Sequence, residues 1–401
     1  MDTRKNDIKA LADRVLCDTY RRLPVVFTRG RGCTLWDEDG REYTDFLAGI
    51  AVCNLGHACP EVTSALCRQA ENLFHVSNLF YTAPQAELAE WLVSHSFADR
   101  VFFANSGAEA NEAAIKLARK FFFDQGKTGR SRIIAMENSF HGRTFAALSA
   151  TGQKKVREGF EPILEGFDFV PFNDVDAIRR RLDDSICAVL LEPVQGEGGV
   201  RQPDPGYLES VRKLCDETGT ILIFDEIQTG IGRTGKFFAY EHFNVTPDIM
   251  TLAKALGNGL PIGAMLASEK VASAFTPGAH ASTFGGSPVI TAAALEVVRY
   301  MERERIVEKS VETGAYFKSR LEWLAGRHGI IKEVRGMGMM LGMQLSVPGA
   351  PYVSACLKKG FVINCIQENV LRFVPPLIIT RPEIDALIEC LDALFLNQPD
   401  L

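Results

Sequence analysis

The chain has 401 residues, 46% of them hydrophobic and 9% aromatic, enough to bury one large core or two medium ones, which excludes a disordered or disulfide-stapled chain. Its 44 Lys+Arg and 50 Asp+Glu residues leave a net charge of −6 with the two signs interspersed, so no basic footprint for nucleic acid or an anionic membrane surface is visible. The 10 cysteines form no CxxC pair and no histidine stands at zinc-like spacing from them, so they read as reduced, mostly buried thiols of a cytoplasmic protein without a metal site.

From the start of the chain, Met1 to Leu16 carries charges throughout and lacks the apolar centre of a signal peptide. No later stretch approaches the roughly 20 apolar residues that span a bilayer. Leu35 to Tyr43 reads as a hairpin around Asp39-Gly40, and residues 1–45, too few for a core of their own, are expected to pack on a smaller domain. Between about Ala58 and Pro288, short apolar runs alternate with helical patterns: Val101-Phe102-Phe103, Arg132 to Ala135, Ala188 to Leu191, Ile221 to Phe224 and Ile249 to Leu252. Such alternation predicts an α/β domain over residues 46–289, with a mostly parallel sheet covered on both faces. Thr291 to Leu324 then has the three-to-four spacing of long helices, followed by strand-like Met339 to Leu345 and Leu371 to Val374 and a last helix from Arg381 to Leu396. Residues 290–401 are therefore expected to form a smaller α+β domain.

In an open parallel sheet ligands bind beyond the carboxyl ends of the strands, and three of these ends carry polar residues. After Val101 to Ala104 come Asn105, Ser106, Gly107 and Ala108 at the start of a helix, where free N–H groups and a hydroxyl can hold an anion. The same Ser106 could simply cap its helix. After Ile221 to Phe224 comes Asp225, a carboxylate that burial makes costly unless a cation or strong donors meet it. A structural salt bridge and an active-site acid both fit it. After Ile249 to Leu252 comes Lys254, with a glycine-rich turn beyond it at Gly257-Asn258-Gly259. Most lysines are solvated surface residues, but an apolar setting lowers the pKa and lets the free amine form an imine.

A phosphate cradle, a strand-end carboxylate and an imine-forming lysine together suit pyridoxal 5'-phosphate. Competing glycine signals are weaker. Gly336-Met337-Gly338-Met339-Met340-Leu341 does not match the dinucleotide fingerprint, and no P-loop motif occurs.

Five segments carry a closer likeness: Asn105 to Glu112, Phe140-His141-Gly142-Arg143-Thr144, Glu192 to Gly199, Phe224 to Gly230, and Ala253-Lys254. In this order they resemble the class III pyridoxal-phosphate aminotransferases, over essentially the whole chain. Ala48 to Val52, Ser77 to Thr82 and Arg372 to Leu377 narrow the likeness to class members acting on acylated ornithine. Cys53 and Cys59 depart from it, standing where relatives usually carry Asn and His.

The resemblance implies the aspartate-aminotransferase-like fold, PLP fold type I, and a homodimer with shared active sites. It implies Lys254 as the residue carrying the cofactor, Asp225 as partner of the pyridine nitrogen, and Gln228 on the phenolic oxygen. Phe140 and Ile227 would cover the two ring faces. Ser106, Gly107 and Ala108 would hold the phosphate, joined by Thr283 from the partner subunit. Arg143 would take the distal carboxylate of 2-oxoglutarate and Arg372 its α-carboxylate, with Glu197 covering Arg372 when the amino donor is bound. Ile50 would wall the site against a neutral acylated amine, and Asn78 would meet the acyl carbonyl. The implied reaction transfers the δ-amino group of N-acetylornithine to 2-oxoglutarate, giving N-acetylglutamate 5-semialdehyde and glutamate, as in arginine biosynthesis. Succinylornithine, 4-aminobutyrate and ornithine remain alternative donors, and a non-catalytic, cofactor-holding dimer remains the alternative from another functional class.

Overall fold

The computed structural model describes residues 8–397. The first seven residues, part of the charged Met1–Leu16 stretch, and the last four lie outside the described residues.

The centre is a seven-stranded sheet in the order Arg100–Ala104, Gly263–Ala267, Ile249–Leu252, Ile221–Asp225, Ile186–Leu191, Arg132–Met136 and Phe167–Val170. The last five in this order are mutually parallel, and Gly263–Ala267 runs antiparallel to both of its neighbours. All five apolar runs seen in the sequence are strands of this sheet, four of them extended by one or two residues and Ile249–Leu252 unchanged. Two strands escape a reading for apolar runs. Phe167–Val170 alternates polar and apolar residues at the sheet edge, and Gly263–Ala267 is built of Gly, Ala, Met and Leu, which have little strand preference.

Strand periodicity divides the core. Ile221 and Ile223 join the cluster under the Gly107–Asp124 helix, whereas Leu222 and Phe224 join the opposite cluster with Leu208 and Val211 of the Tyr207–Thr218 helix. Asp225 continues the parity of Ile221 and Ile223, which turns it toward the Gly107–Asp124 helix. Its in-register neighbour is Thr251, so the chain that emerges past Thr251 delivers Lys254 to the same end of the sheet.

Two four-stranded sheets flank this one. Ile331–Met337, Met340–Leu345, Val370–Phe373 and Asn364–Ile366 form an antiparallel sheet that carries Arg372. Phe27–Arg31, Thr34–Asp37 and Glu42–Asp45 form the other with Phe361–Val362, so the N-terminal hairpin is tied to the C-terminal part of the chain. The hairpin turn has Gly40 at φ 79° and is closed by Asp37, whose carboxylate accepts the N–H groups of Asp39 and Arg41 at 3.0 and 2.9 Å. The long helical region is two helices, Pro288–Arg303 and Ile306–Arg327, separated at Arg305 by left-handed backbone, φ 52°. Pro288–Arg303 packs on Pro60–Ala70 and Ala83–Ser94, and Arg381–Asn397 closes the chain against Ile306–Arg327.

Candidate active site

A cavity of about 460 Å³ opens at the carboxyl end of the central sheet. It is lined by Ser106, Gly107, Ala108, Phe140, Arg143, Asp225, Ile227, Gln228 and Lys254, nine of the residues singled out from the sequence.

The helix that begins at Gly107 supplies one wall. Ser106 caps it, its hydroxyl accepting the N–H of Glu109 at 3.2 Å, while the Glu109 carboxylate reaches back to the N–H of Asn105 at 2.8 Å. Capping and anion binding are compatible here, because the first-turn N–H groups beyond the cap still face outward with the positive end of the helix dipole. Gly107 is needed for contact: a Cβ there would lie 2.6 Å from Cδ1 of Ile227. Across the helix start, Gly142 at φ 139° leaves no room for a side chain between Ala108 and Ala147.

Asp225 is 3% exposed and held from three sides. Oδ2 accepts from Asn111 at 2.8 Å and lies 2.7 Å from Nδ1 of His141, and Oδ1 accepts the N–H of Ile227 at 3.0 Å. Asn111 is in turn fixed by Thr251, whose hydroxyl donates to its Oδ1 at 2.8 Å, and donates to the carbonyl of His141 at 2.7 Å. These bonds fix the position and orientation of the carboxylate. Asn111 and His141 stand inside the quoted segments, yet no pattern in their neighbourhood assigned them a role. Only the fold shows that the buried face of the helix meets the strand end.

Lys254 follows its strand in left-handed backbone at φ 43°, a conformation that costs an ordinary residue about 1–2 kcal/mol. Burial pushes its ammonium down to about 8, against the opposing pull of Glu197, and Arg372 depresses it further. Glu192, buried beside Asp225, has its carboxyl raised by burial first and then by Asp225. Its two oxygens accept from the N–H of Gly196 at 3.1 Å and of Phe140 at 3.2 Å, so one side chain fixes two walls of the cavity.

Arg372, fully buried, pairs with Glu197 at 2.5 Å and donates to Asn364 at 3.2 Å and to Gln228 at 3.4 Å. Gln228 donates back to Glu197 at 3.3 Å. Burial alone would raise the Glu197 carboxyl, but Arg372 and, more weakly, Lys254 bring it below its ordinary value. Arg143 is exposed at the cavity mouth, its guanidinium 5.7 Å from the Phe140 ring centroid.

Five sequence-derived candidates do not line this cavity: Glu197 and Arg372, which meet Gln228 at its edge, and Ile50, Asn78 and Thr283. Ile50 belongs to a left-handed turn in which Ala48, Gly49, Ile50 and Ala51 have φ of 50°, 64°, 70° and 58°, and the following Val52 lines the cavity instead. Asp45 supports that turn by accepting the N–H groups of Leu47 and Ala48 at 2.8 and 2.9 Å. Asn78 lies elsewhere, its amide hydrogens committed to the carbonyls of Ser282 and Gly285 at 2.9 Å each and its oxygen to Gln85 at 2.7 Å. Thr283 lines the same separate recess as Asn78.

The Aminotransferase class-III model matches residues 16–395 of the chain. The chain belongs to the class III aminotransferases. Acetylornithine aminotransferase of Methanocaldococcus jannaschii is 51% identical over 377 residues, covering 94% of each chain. That of Caldanaerobacter subterraneus subsp. tengcongensis is 50% identical over 380 residues, 94% of this chain and 96% of the relative. Among solved structures, ornithine aminotransferase of Toxoplasma gondii ME49 superposes with a TM-score of 0.94 at 35% identity, over 98% of this chain and 94% of that one. Acetylornithine aminotransferase of Elizabethkingia anophelis gives 0.87 at 32%, over 97% and 98%. A further structure of the Toxoplasma enzyme has PLP at partial occupancy in its active site. As in these class III aminotransferases, the fold is the α/β PLP type I architecture and the chemistry is pyridoxal-phosphate-dependent transamination.

Among the described residues, no helix is long and apolar enough to cross a membrane, and no group of His, Cys, Asp and Glu could hold a metal ion.

Proposed function

We propose that this class III aminotransferase exchanges the δ-amino group of N-acetylornithine with 2-oxoglutarate, giving N-acetylglutamate 5-semialdehyde and glutamate, as a cytoplasmic homodimer. The observation that carries the reading is the cavity itself. A helix N-terminus for a phosphate, a buried amine of lowered pKa and a rigidly held carboxylate line one space of about 460 Å³, which suits pyridoxal 5'-phosphate. When bound, that cofactor supplies an aldehyde for the lysine or donor amine and a ring that accepts electrons from the bond being broken. The rest is done by the chain. Ser106, Gly107 and Ala108 would hold its phosphate, Phe140 and Ile227 would contain its ring, and Gln228 would meet its phenolic oxygen. Asp225 holds the proton on the ring nitrogen, fixed in place by Asn111 and His141.

Lys254 has two jobs, carrying the cofactor between turnovers and moving a proton once the donor has displaced it. A pKa of about 8 keeps a working fraction of its amine neutral near pH 7. Arg372 and Arg143 provide two cationic anchors for a substrate with carboxylates at both ends. Glu197 neutralises Arg372 while a donor without a carboxylate near its reacting amine is bound, and releases it for 2-oxoglutarate. The closed Glu197–Arg372 pair supports this switch.

The division of the chain at about residues 45 and 289 belongs to the same reading. So does the dimer. Leu79 is 85%, Phe80 62%, Tyr81 104% and Phe284 64% exposed, an apolar patch of the kind that marks an interface. Thr283, adjacent to Phe284 and absent from this chain's own cavity, then reaches the phosphate of the partner subunit.

The donor test is a side-by-side measurement of kcat/KM with 2-oxoglutarate. The turn that carries Ile50 presents Val52 to the cavity, an apolar wall that offers no hydrogen bond to the charged α-ammonium of free ornithine, and desolvating an unpaired charge is unfavourable. Acetylornithine is therefore expected to lead, free ornithine to follow and 4-aminobutyrate to come last. An order led by either of the others overturns the donor assignment and leaves the transaminase chemistry standing.

A further inference from the structure

Behind the turn that presents Glu197 to Arg372 lies a second cavity of about 360 Å³, which shares no lining residue with the first. Its walls are polar and come from distant parts of the chain. Arg201 and Arg335 converge on one carboxylate, Glu333, at 3.4 and 2.5 Å, so two guanidinium groups share a single negative partner. Arg335 is 6% exposed, and its Nη2 has no acceptor among the described residues. Glu137, also in the lining, is exposed and has no ion pair among the described residues. Gln344 accepts from Arg335 at 2.8 Å through its oxygen, which leaves its amide hydrogens available. Cationic forks and an uncommitted carboxylate lining one cavity match a ligand that carries both charges, and the volume suits a small one.

The cavity grips the Glu197 turn directly. Arg335 donates through Nε to the carbonyl of Gly199 at 2.8 Å, and Gln367 donates to the carbonyl of Glu197 itself at 2.8 Å. Gln195, at the head of the same turn, donates to the carbonyl of Glu137 at 2.9 Å. A ligand drawing on Arg335, Gln367 or Glu137 therefore pulls on the backbone that positions Glu197 over Arg372.

We infer that this second cavity is an effector site for a small zwitterion of the α-amino acid class, with its carboxylate on Arg201 and Arg335 and its amine on Glu137. Its coupling to catalysis rests on the switch role given to Glu197, whereas binding does not. The test titrates holoenzyme with glycine, L-proline, L-aspartate and L-arginine, and with citrate as an anion lacking an amine, by isothermal calorimetry. At least one amino acid is expected to bind saturably, with at least tenfold weaker binding in both Arg201→Gln and Glu137→Gln and none by citrate at matched concentration. The two variants keep the parental rate when no effector is added. Absence of amino acid binding, binding unchanged in both variants, or preferential binding of citrate overturns the proposal. The bound amino acid is also expected to change the ratio of the two half-reaction rates in the parent and not in Arg201→Gln. Binding with an unchanged ratio overturns the coupling, and leaves the donor assignment to its own test.

Discussion

Lys254 concentrates the strain of the site: its backbone is left-handed, its amine is buried, and the charges that act on it most strongly are the members of the Glu197–Arg372 pair. Only a neutral amine can accept a proton, and with a pKa of about 8 the neutral fraction is about one tenth at pH 7 and about nine tenths at pH 9. The single-turnover rate of the donor half-reaction should therefore rise about tenfold between those values and then level off. A flat profile, or one still climbing past pH 10 as an ordinary lysine would give, removes Lys254 from the proton-transfer role. Lys254→Ala should lose at least 1,000-fold in turnover, about 4 kcal/mol in barrier, while still binding cofactor reversibly. Borohydride reduction followed by peptide mass spectrometry should find the cofactor mass on the Lys254 peptide of the parent and nowhere in the variant. The Glu197–Arg372 pair makes a second residue-scale expectation. Glu197→Gln removes the charge that holds Arg372, so kcat/KM for 2-oxoglutarate should rise relative to that for acetylornithine, by about tenfold if roughly 1.4 kcal/mol of pairing is lost. Equal changes in both half-reactions rule out the switch. Lys254, Glu197 and Arg372 were legible because the class likeness gives each a charged group with a stated task. Asn111, His141 and Glu192 stand in the same motif segments but were not, because their value lies in contacts with chain 52 to 114 residues away.

Among the elements, the Gly107–Asp124 helix does most of the positioning, and its start is packed too closely to tolerate added volume. A Cβ at Gly142 would fall 2.7 Å from Cβ of Ala108 and 2.9 Å from Cβ of Ala147, at a φ of 139° that side chains rarely adopt. Gly142→Ala should therefore push Ala108 out of line, raise the cofactor dissociation constant at least tenfold, and destabilise the chain by about 1–3 kcal/mol. Gly126, just beyond the far end of the same helix, has φ 76° and nothing within 4 Å of the place a methyl group would take, so Gly126→Ala supplies the control. It should lower Tm through backbone strain alone and leave cofactor affinity unchanged. If both variants lose cofactor equally, the cradle owes its affinity to overall stability rather than to the helix start. The sheet itself was readable because buried parallel strands are continuous apolar runs. The left-handed turn from Ala48 to Ala51 was not, since Ala and Ile give no local reason to enter that conformation, and it exists only because Asp45 and its neighbours impose it.

At the scale of the whole molecule, what periodicity could not distinguish is which apolar residues face a partner and which face a core, because it treats both alike. The fold separates them. Leu79, Phe80 and Tyr81 project from one segment and Phe284 from another, and Asn78 binds the two together through Ser282 and Gly285. Covering so apolar a patch is favourable, and a recess lined in part by Phe80 holds Thr283, the one phosphate ligand expected from outside the subunit. In the proposed dimer, charge placed in this patch should therefore separate the subunits and empty the site at once. The parent is expected to be the proposed dimer in sedimentation equilibrium, and Phe284→Asp combined with Tyr81→Asp a monomer with the far-ultraviolet circular dichroism of the parent. The monomer should hold cofactor at least tenfold more weakly and lose more than about 99% of its activity, or ~2.7 kcal/mol in barrier. Thr283→Ala, which leaves the apolar patch intact, should remain dimeric and weaken cofactor retention only by the loss of one hydrogen bond, about 1 kcal/mol or roughly fivefold. A double variant that stays dimeric refutes this surface as the interface, and a monomer with parental cofactor affinity refutes the contribution of the partner subunit to the site.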